Sequence, residues 1–320
     1  MGVVVEADLP DVHRGSDVFS RQEIEVLRRR NPWKATGMLA HAWAVIGGTW
    51  VLCVLYPHPL LIALGVMVVG TRQLGLFIIS HDAAHNVLYG NRKLNDWAAE
   101  WICNRPALGA SIDAYRAYHL VHHRHTQQEQ DPDLKLSAPF PVTRASLWRK
   151  AWRDLSGQTG FKQHLGTIRG AFGAPGEPLA SRLGKGVHRL GPNLLINLMF
   201  LAGFTAAGAW HLYFLLWVLP LTTWQLFVTR LRNIAEHACV PDNDDRLRNT
   251  RTTRANWLER AFIAPYYVNY HLEHHLLVSI PAYNLPRAHR LLLDKGLGDR
   301  MELQPGYLAV LRLAGSLPAT

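Results

Sequence analysis

The pattern of hydrophobic and polar positions is dominated by four nearly uncharged apolar runs. They occupy residues 35–56, 60–80, 193–210 and 211–229. About 20 apolar residues are enough for a helix to cross the roughly 30 Å hydrocarbon core of a bilayer. Only a few residues separate the two members of each pair, so the pattern predicts two membrane-spanning helical hairpins. Buried helices of a soluble protein are the alternative, and four such runs in two tight pairs argue against it.

The apolar runs divide the chain into three predicted parts. Residues 1–34 are a polar N-terminal segment, in which Ser20 and Glu23 have the spacing of a capping box and predict a short helix. Residues 35–290 form the membrane domain, and residues 291–320 form a C-terminal tail.

The polar stretch between the two hairpins sets the rest of the predicted architecture. Residues 131–192 are rich in Gly, Pro and charge, and we expect an irregular cap there. The predicted fold class is therefore an all-α integral membrane protein with four transmembrane helices in two hairpins. A helical cytoplasmic cap is expected to carry the metal site described below.

The distribution of positive charge predicts the orientation in the membrane. Of the 34 Lys and Arg residues, six precede the first run, 15 lie between the second and third runs, and 12 follow the fourth. Lys and Arg remain on the cytoplasmic side of a membrane, so both termini and the middle segment are expected to be cytoplasmic, at the inner (cell) membrane of a bacterium. The net charge of +10 suits anionic lipid head groups. No nucleic-acid recognition motif is present, and nucleic acid is not an expected partner.

Arg72 is the one Lys or Arg residue inside an apolar run. A charge within a span is costly and often has a function. Arg72 lies nine residues before His81, which places it on the opposite face of a helix. We expect a partner on another helix or a side chain that extends to the membrane surface, rather than contact with the metal site.

Nine of the 17 histidines fall into four compact groups. Two or three histidines at i, i+3 or i+4 share one face of a helix. Asn233 lies four residues before His237, so its amide can reach the same centre directly or through a water. His125 lies six residues after His119 and points elsewhere. The groups are His81 and His85; His119, His122 and His123; His237; and His271, His274 and His275.

This residue set favours a pair of redox-active metal ions. Neutral imidazole is a strong ligand for transition metals, and nine ligands exceed the needs of one ion. Cys53, Cys103 and Cys239 form no CxxC pair, so a cysteine-based metal site is not expected. Solvated surface histidines are the alternative, and the repeated helical spacing argues against them. Asp82, Glu236 and Glu273 are candidates to accept the second ring N–H of a ligand, or are simply solvated.

The order of the motifs resembles the membrane fatty acid desaturase superfamily. The chain has HxxxH, HxxHH, NxxxH and HxxHH motifs around two hairpins, with Asp131-Pro132-Asp133 after the second box and Ile280 to Pro286 after the third. The resemblance covers about residues 35–290. It implies that the following residues bind a di-iron centre, with Asn233 as a water-mediated ligand: His81, His85, His119, His122, His123, His237, His271, His274 and His275.

The resemblance also implies the reaction and the partners. Such enzymes couple reduction of O₂ to removal of two hydrogens from an acyl chain, with electrons from a separate carrier. The third box begins with His271, whereas relatives with a fused cytochrome b5 often have Gln there, and no HPGG haem motif is present. An external ferredoxin or cytochrome b5 with its reductase is therefore expected.

Several functions remain open at this point. Desaturation is favoured over lipid hydroxylation or carotenoid ketolation, which use the same scaffold. A membrane metal transporter or sensor is a non-enzyme alternative, but transport sites usually lie at mid-membrane within the spans. A soluble metallohydrolase is disfavoured by the apolar runs. Substrate chain length, head group, double-bond position and oligomeric state do not follow from the sequence.

Overall fold

A computed structural model describes residues 11–318, and their secondary structure is almost entirely helical. Short 3-10 or π segments connect several of the helices. The α-helices are α1 (Arg21–Leu27), α2 (Pro32–Leu55), α3 (Pro59–Ala84), α4 (Arg92–Trp97), α5 (Ile112–Arg124), α6 (Leu134–Ser137), α7 (Arg144–Leu155), α8 (Gln158–Ala171), α9 (Leu179–Ala206), α10 (Trp210–Tyr213), α11 (Leu219–Thr222), α12 (Trp224–His237), α13 (Trp257–Phe262), α14 (His271–Leu276), α15 (Leu285–Asp294) and α16 (Tyr307–Ala314).

The first hairpin has the predicted elements. The short helix α1 begins at the capping box, in which Ser20 accepts a hydrogen bond from the Glu23 amide and Glu23 accepts one from the Ser20 amide. Asn31 caps α2, and His58 caps α3; a proline follows each cap and occupies the first helical position, where its missing N–H costs nothing. Both helices extend beyond the predicted apolar runs by up to one turn.

Three helices in the described part of the chain are long and apolar enough to cross a membrane. They are Pro32–Leu55, Pro59–Ala84 and Trp210–His237, the last being a continuous path through α10, α11 and α12. The predicted run 193–210 is only the second half of α9, and the first half carries Arg182, Lys185 and Arg189. The apolar half, residues 193–206, is therefore only about 21 Å long at 1.5 Å per residue.

The prediction of an irregular cap at 131–192 is wrong. The structure has helices α6, α7, α8 and the first half of α9 in this region. Thr143 caps α7 by accepting a hydrogen bond from the Ser146 amide, and Gly157, with φ of +79°, makes the turn from α7 to α8. Glycines that we interpreted as breakers serve packing instead: a Cβ on Gly160 would lie 2.3 Å from the Thr222 carbonyl oxygen of α11.

The second hairpin turns at Gly208, whose φ is +72°. The amide of Ala209 donates to the Phe204 carbonyl, and the amide of Gly208 donates to the Thr205 carbonyl. These are the two hydrogen bonds of a Schellman motif, which ends a helix at a glycine. The turn sends the chain back towards the same side as the start of α9.

Polar side chains hold the second hairpin together and tie it to the first. Asn197 of α9 accepts hydrogen bonds from the Trp217 indole and the Tyr213 hydroxyl at 2.9 and 3.1 Å. Gln73 of α3 donates to the Trp217 carbonyl at 2.9 Å. Because α3 also packs along α12, the C-terminal ends of these two helices are held beside each other.

Arg72 has the partner on another element that we expected. Its guanidinium donates to the Ala261 carbonyl at 2.9 Å and lies 5.5 Å from the centre of the Tyr266 ring. The residue is 6% exposed. It ties α3 to α13 and to the segment that follows α13, and it has no contact with the histidine groups.

The C-terminal region folds against the same helices. Two short parallel strands, β1 (Thr252–Thr253) and β2 (Leu303–Gln304), pair with each other. Arg251, which is fully buried, bonds to Glu302 and to three carbonyl oxygens at the end of α12. These contacts place α14 opposite the ends of α3, α5 and α12.

Candidate metal centre

Four helices bring the histidine groups to one place. His81 lies in the last turn of α3 and His85 caps it, His122 and His123 lie in the last turn of α5, and His237 ends α12. The three histidines of the third group make up half of the six residues of the short helix α14. Three helices therefore point their C-terminal ends, which carry partial negative charge, towards the site. This field favours a cation.

The nine histidines form two clusters, and the ligand atoms of each cluster lie within 4.8 Å of one another. In the first, the Nε2 atom of His123 lies 2.9 Å from that of His119 and 3.0 Å from that of His274. In the second, the Nε2 atoms of His237 and His271 are 2.8 Å apart. The first cluster is His81, His85, His119, His123 and His274, and the second is His122, His237, His271 and His275.

The two clusters adjoin each other. The ring centres of His123 and His275, one from each cluster, are 4.1 Å apart, and those of His122 and His123 are 5.5 Å apart. Two metal centres so placed would be close neighbours within one cavity.

The donor set fits a pair of transition-metal ions. Two nitrogens bound about 2.1 Å from one ion at a right angle lie about 3.0 Å apart, which matches the distances within the clusters. The buried Nε2 atoms of His85 and His275 have no hydrogen-bond partner in the described part of the chain. An unpartnered buried nitrogen is costly unless it binds a metal.

The structure divides each histidine triplet between the two clusters, which the sequence did not predict. His119 and His123, at i and i+4, belong to the first cluster, and His122 belongs to the second. In the third group, His274 belongs to the first cluster and its two neighbours to the second. The arc of about 100° covered by three such residues is wide enough to face two ions at once.

Polar partners orient some of the rings from behind. Asp131 accepts a hydrogen bond from His122 Nδ1 at 2.8 Å and two more from the Gln127 and Asp133 amides at 2.9 Å. The Thr126 hydroxyl lies 3.2 Å from His275 Nδ1. Such contacts fix the tautomer and leave Nε2 free for a metal. The sequence analysis did not assign these roles; the acid that follows the second box was the available signal.

The three acids considered for that role bond mainly to other groups. Asp82 Oδ1 lies 3.9 Å from His81 Nδ1 and Glu236 Oε2 lies 3.6 Å from His271 Nε2, both too far for a hydrogen bond. The Asp82 carboxylate accepts from the Ala282 amide at 2.9 Å. Glu236 pairs with Arg232, and Glu273 pairs with His289 at 2.6 Å and with the Thr252 hydroxyl. All three are buried and partnered, so the alternative of simple solvation is wrong.

Burial keeps the imidazoles neutral. Desolvation lowers the pKa of His119, His123, His274 and His275 well below the ordinary value, and neighbouring histidines add to the effect. For His85, desolvation and then the charge of Arg116 lower the pKa to about 4. A neutral ring is the form that binds a metal.

His125 and Asn233 lie at the margin of the site. His125 is outside both clusters, with its Nδ1 atom 3.4 Å from Gln128 Oε1. The Asn233 Oδ1 atom accepts a hydrogen bond from Arg232 at 2.9 Å. Asn233 also lines a cavity that borders His119, His122 and His237.

A cleft with about 500 Å³ of empty space reaches the clusters; we call it the central cleft. The apolar part of its lining is Leu74, Phe77, Ile78, Val268, Ala282 and Leu285, and the remaining part is His81, Asp82, Tyr115, Arg232, Tyr266, His271 and His274.

Comparisons with known proteins agree with this site. Residues 57–303 match the family described as fatty acid desaturase. The chain is 31% identical to the dihydrorhizobitoxine desaturase of Bradyrhizobium elkanii, over 93% of this chain and 84% of that protein. It is 26% identical to the β-carotene ketolases of two Paracoccus strains, over 72% and 73% of this chain and 79% and 81% of those proteins. The chain belongs to the fatty acid desaturase family of membrane oxidoreductases.

Proposed function

We propose that this protein is an O₂-dependent di-iron desaturase that introduces a C=C bond into an acyl chain or a related lipid. The observation that carries the proposal is the pair of histidine clusters at the end of the central cleft. Family membership supports an oxidoreductase reaction, and the central cleft offers space for the substrate beside the clusters.

Each cluster would hold one iron. The first would use the five nitrogens of His81, His85, His119, His123 and His274, and the second the four of His122, His237, His271 and His275. Asn233 would reach the second ion through a water. Two bound irons would supply O₂ activation and removal of hydrogen from an unactivated C–H bond.

The remaining residues of the site bind and position the substrate. Leu74, Phe77 and Ile78 lie on successive turns of α3 and line the cleft together with Val268 and Leu285. Apolar contact along this wall would hold a hydrocarbon chain and exclude water from the reacting carbons. His81, His271 and His274 line the same cleft and set the position at which the chain meets the metals.

The overall reaction needs electrons from outside the protein. Removal of two hydrogens from the substrate, with two further electrons and two protons, reduces one O₂ to two waters. The three cysteines of the described residues are free, and the sequence contains neither a CxxC pair nor an HPGG haem-binding motif that would hold an electron-transfer centre. A ferredoxin or a cytochrome b5, with its reductase, is the proposed donor.

We propose the topology that the charges predict. Four spans, with α9 as the third, would place both termini and all histidines on the cytoplasmic side of a bacterial inner membrane. The domain limits proposed from the sequence, 1–34, 35–290 and 291–320, follow the same division. The first ten residues and the last two lie outside the described part of the chain.

Ketolation or hydroxylation is the second candidate. The similarity to two β-carotene ketolases, at 26% identity, supports it. After the first hydrogen is removed, loss of a second gives an alkene, and transfer of oxygen gives an alcohol. Small differences in the placement of the chain decide between these outcomes.

Mass spectrometry of lipids from a host with defined membrane composition tests the proposal. The wild-type chain should produce a lipid lighter by two hydrogen atoms, and the His271→Ala variant should not. A product heavier by one oxygen atom would assign hydroxylation. One heavier by an oxygen and lighter by two hydrogens would assign ketolation.

A further inference from the structure

Three cavities meet beside the histidine clusters. The central cleft is joined by a polar cavity with about 1070 Å³ of empty space and by a histidine cavity with about 980 Å³. Arg232 and Tyr115 line all three. These two side chains therefore lie where the three cavities adjoin.

Arg232 has more hydrogen-bond donors than partners. Its guanidinium carries five N–H groups. The Nη1 atom bonds to both carboxylate oxygens of Glu236 at 3.0 and 2.7 Å, and Nη2 bonds to Asn233 at 2.9 Å. The Nε atom is buried without a partner in the described structure, and the side chain remains 20% exposed.

Arg251 shows what a purely structural arginine looks like in this protein. It is 0% exposed, and every nitrogen of its guanidinium bonds to Glu302 or to a backbone carbonyl. Arg232, in contrast, has two N–H groups without a partner among the described residues, one on Nη2 and one on Nε, and its side chain lines all three cavities. The difference indicates that Arg232 is free to bind a ligand.

Tyr115 provides a second polar group at the same junction. Its ring stacks on His119 with centres 5.2 Å apart and planes 12° apart. Its hydroxyl makes no hydrogen bond to the residues that the structure describes. A phenol O–H can donate a hydrogen bond to an oxygen atom of a ligand.

The polar cavity extends this character away from the metals. Its lining includes Gln163, His164, Gln225 and Thr229, and the buried Nε2 atom of His164 has no partner in the described structure. Apolar surface makes up the larger part of the same lining. The cavity therefore suits a ligand that combines a hydrocarbon part with oxygen atoms that bond to these polar groups.

We propose that Arg232 and Tyr115 bind a hydrogen-bond-accepting oxygen of the substrate, a carbonyl or carboxylate, while its hydrocarbon part lies in the central cleft. The inference rests on the proposed function for the position of the reaction. Because both residues border the clusters, the oxygen lies within a few bonds of the reacting carbons. The substrate is thus a compound functionalised near the reaction site, not a long unbranched chain attacked far from its polar end.

Binding of three ten-carbon probes to the purified, metal-loaded protein tests this assignment. The probes are decanoate, N-methyldecanamide and decylammonium, and calorimetry gives their dissociation constants. Decanoate and the amide should bind wild type more tightly than decylammonium. Arg232→Gln should weaken the first two by about tenfold or more, as expected for loss of a hydrogen bond to a charged group, and should not weaken decylammonium.

Arg230→Gln is the matched control. Arg230 lies on the same helix, pairs with the buried Asp154 as Arg232 pairs with Glu236, and lines none of the three cavities. It should bind all three probes as wild type does. Because Arg232→Gln leaves Glu236 buried without its cation and can unfold the protein, Tyr115→Phe is the second variant. It removes one oxygen atom and should weaken the two oxygen-bearing probes several-fold.

Two results would overturn the assignment. One is that wild type binds the three probes equally or binds no oxygen-bearing probe. The other is that a folded Arg232→Gln and Tyr115→Phe bind decanoate and the amide as wild type does. Failure of the proposed function would appear separately, as the absence of any oxidised product from wild type in the lipid analysis.

Discussion

At the scale of single residues, the site consists of buried imidazole nitrogens that lie 2.8–3.0 Å apart within each cluster. His119, His123 and His274 converge on one point, and His237 and His271 on another. Burial keeps these rings neutral, and the neutral ring is the form that binds a metal. Each histidine would therefore act at this site as a neutral nitrogen ligand and not as a positive charge.

Replacing His237 by Ala should abolish turnover while the protein still inserts into the membrane. His237 ends α12, so its loss removes one of the four nitrogens of the second cluster without interrupting an apolar segment. Product formation in membranes, normalised to the amount of inserted protein, measures the effect. His125→Ala is the control, because His125 lies outside both clusters; equal loss in the two variants would contradict the assignment.

Asp131→Asn should weaken metal binding about 10–100-fold. The carboxylate fixes His122 through its Nδ1 atom and is itself held by two backbone amides. An amide in its place cannot keep all three contacts as an acceptor. Chelator competition on the purified protein measures the affinity. Asp133→Asn is the control, because an Asp133 carboxylate oxygen lies 3.8 Å from His122 Nδ1, and this variant should lose less metal affinity. A larger loss in Asp133→Asn than in Asp131→Asn would refute the role of Asp131.

Every histidine of the two clusters was expected from the sequence. How the histidines divide between two clusters, and which residues orient their rings, was not. Helical phase groups His119, His122 and His123 on one side of α5, and it separates His125 correctly. It cannot say that two ions share the arc, since that depends on how α5 faces α14. Asp131 and Thr126 lie in the turn after α5, and their distances to His122 and His275 follow from tertiary packing alone.

At the scale of elements, the glycine content of the region between the hairpins led to the wrong prediction of an irregular cap. Gly160 lies in α8 at a contact where even a methyl group would meet backbone atoms of Thr222 at 2.3 to 2.9 Å. A glycine here permits two helices to approach closely, as small residues do between membrane helices. From sequence alone, such a glycine looks the same as one that ends a helix.

Gly160→Ala should destabilise the protein by about 1–3 kcal/mol, since the contacted atoms are backbone and cannot move aside. The thermal unfolding temperature in detergent measures the change. Gly166→Ala is the matched control in the same helix, where a Cβ meets no atom within 4 Å. It should be neutral or stabilising by up to about 1 kcal/mol. Equal destabilisation of the two variants would mean that the contact with α11 is not tight.

At the scale of the whole molecule, the position of α9 decides the topology. The first hairpin could be predicted from the length of its two apolar runs and from the proline at the start of each helix. The third span could not be predicted in the same way, because the apolar half of α9 is short and continues from a basic half in one unbroken helix. Leu194, Leu195 and Leu198 are each more than half exposed in the structure, which suits contact with lipid.

Labelling of single cysteines with a membrane-impermeant maleimide tests the four-span topology. Ala207→Cys, in the turn between α9 and α10, should react from the non-cytoplasmic side. Ser156→Cys, in the turn between α7 and α8, should react only after the cytoplasmic face is opened. Labelling of both positions from the same side would show that α9 does not cross the membrane.

Iron content per chain tests the central claim most directly, because every role assigned above depends on two ions held by nine histidines. The protein should be purified without oxygen and its metals measured together with its concentration. The structure predicts about two irons per chain, one for each cluster of imidazole ligands. Preparations that consistently contain no iron, while the protein remains folded, would contradict the account.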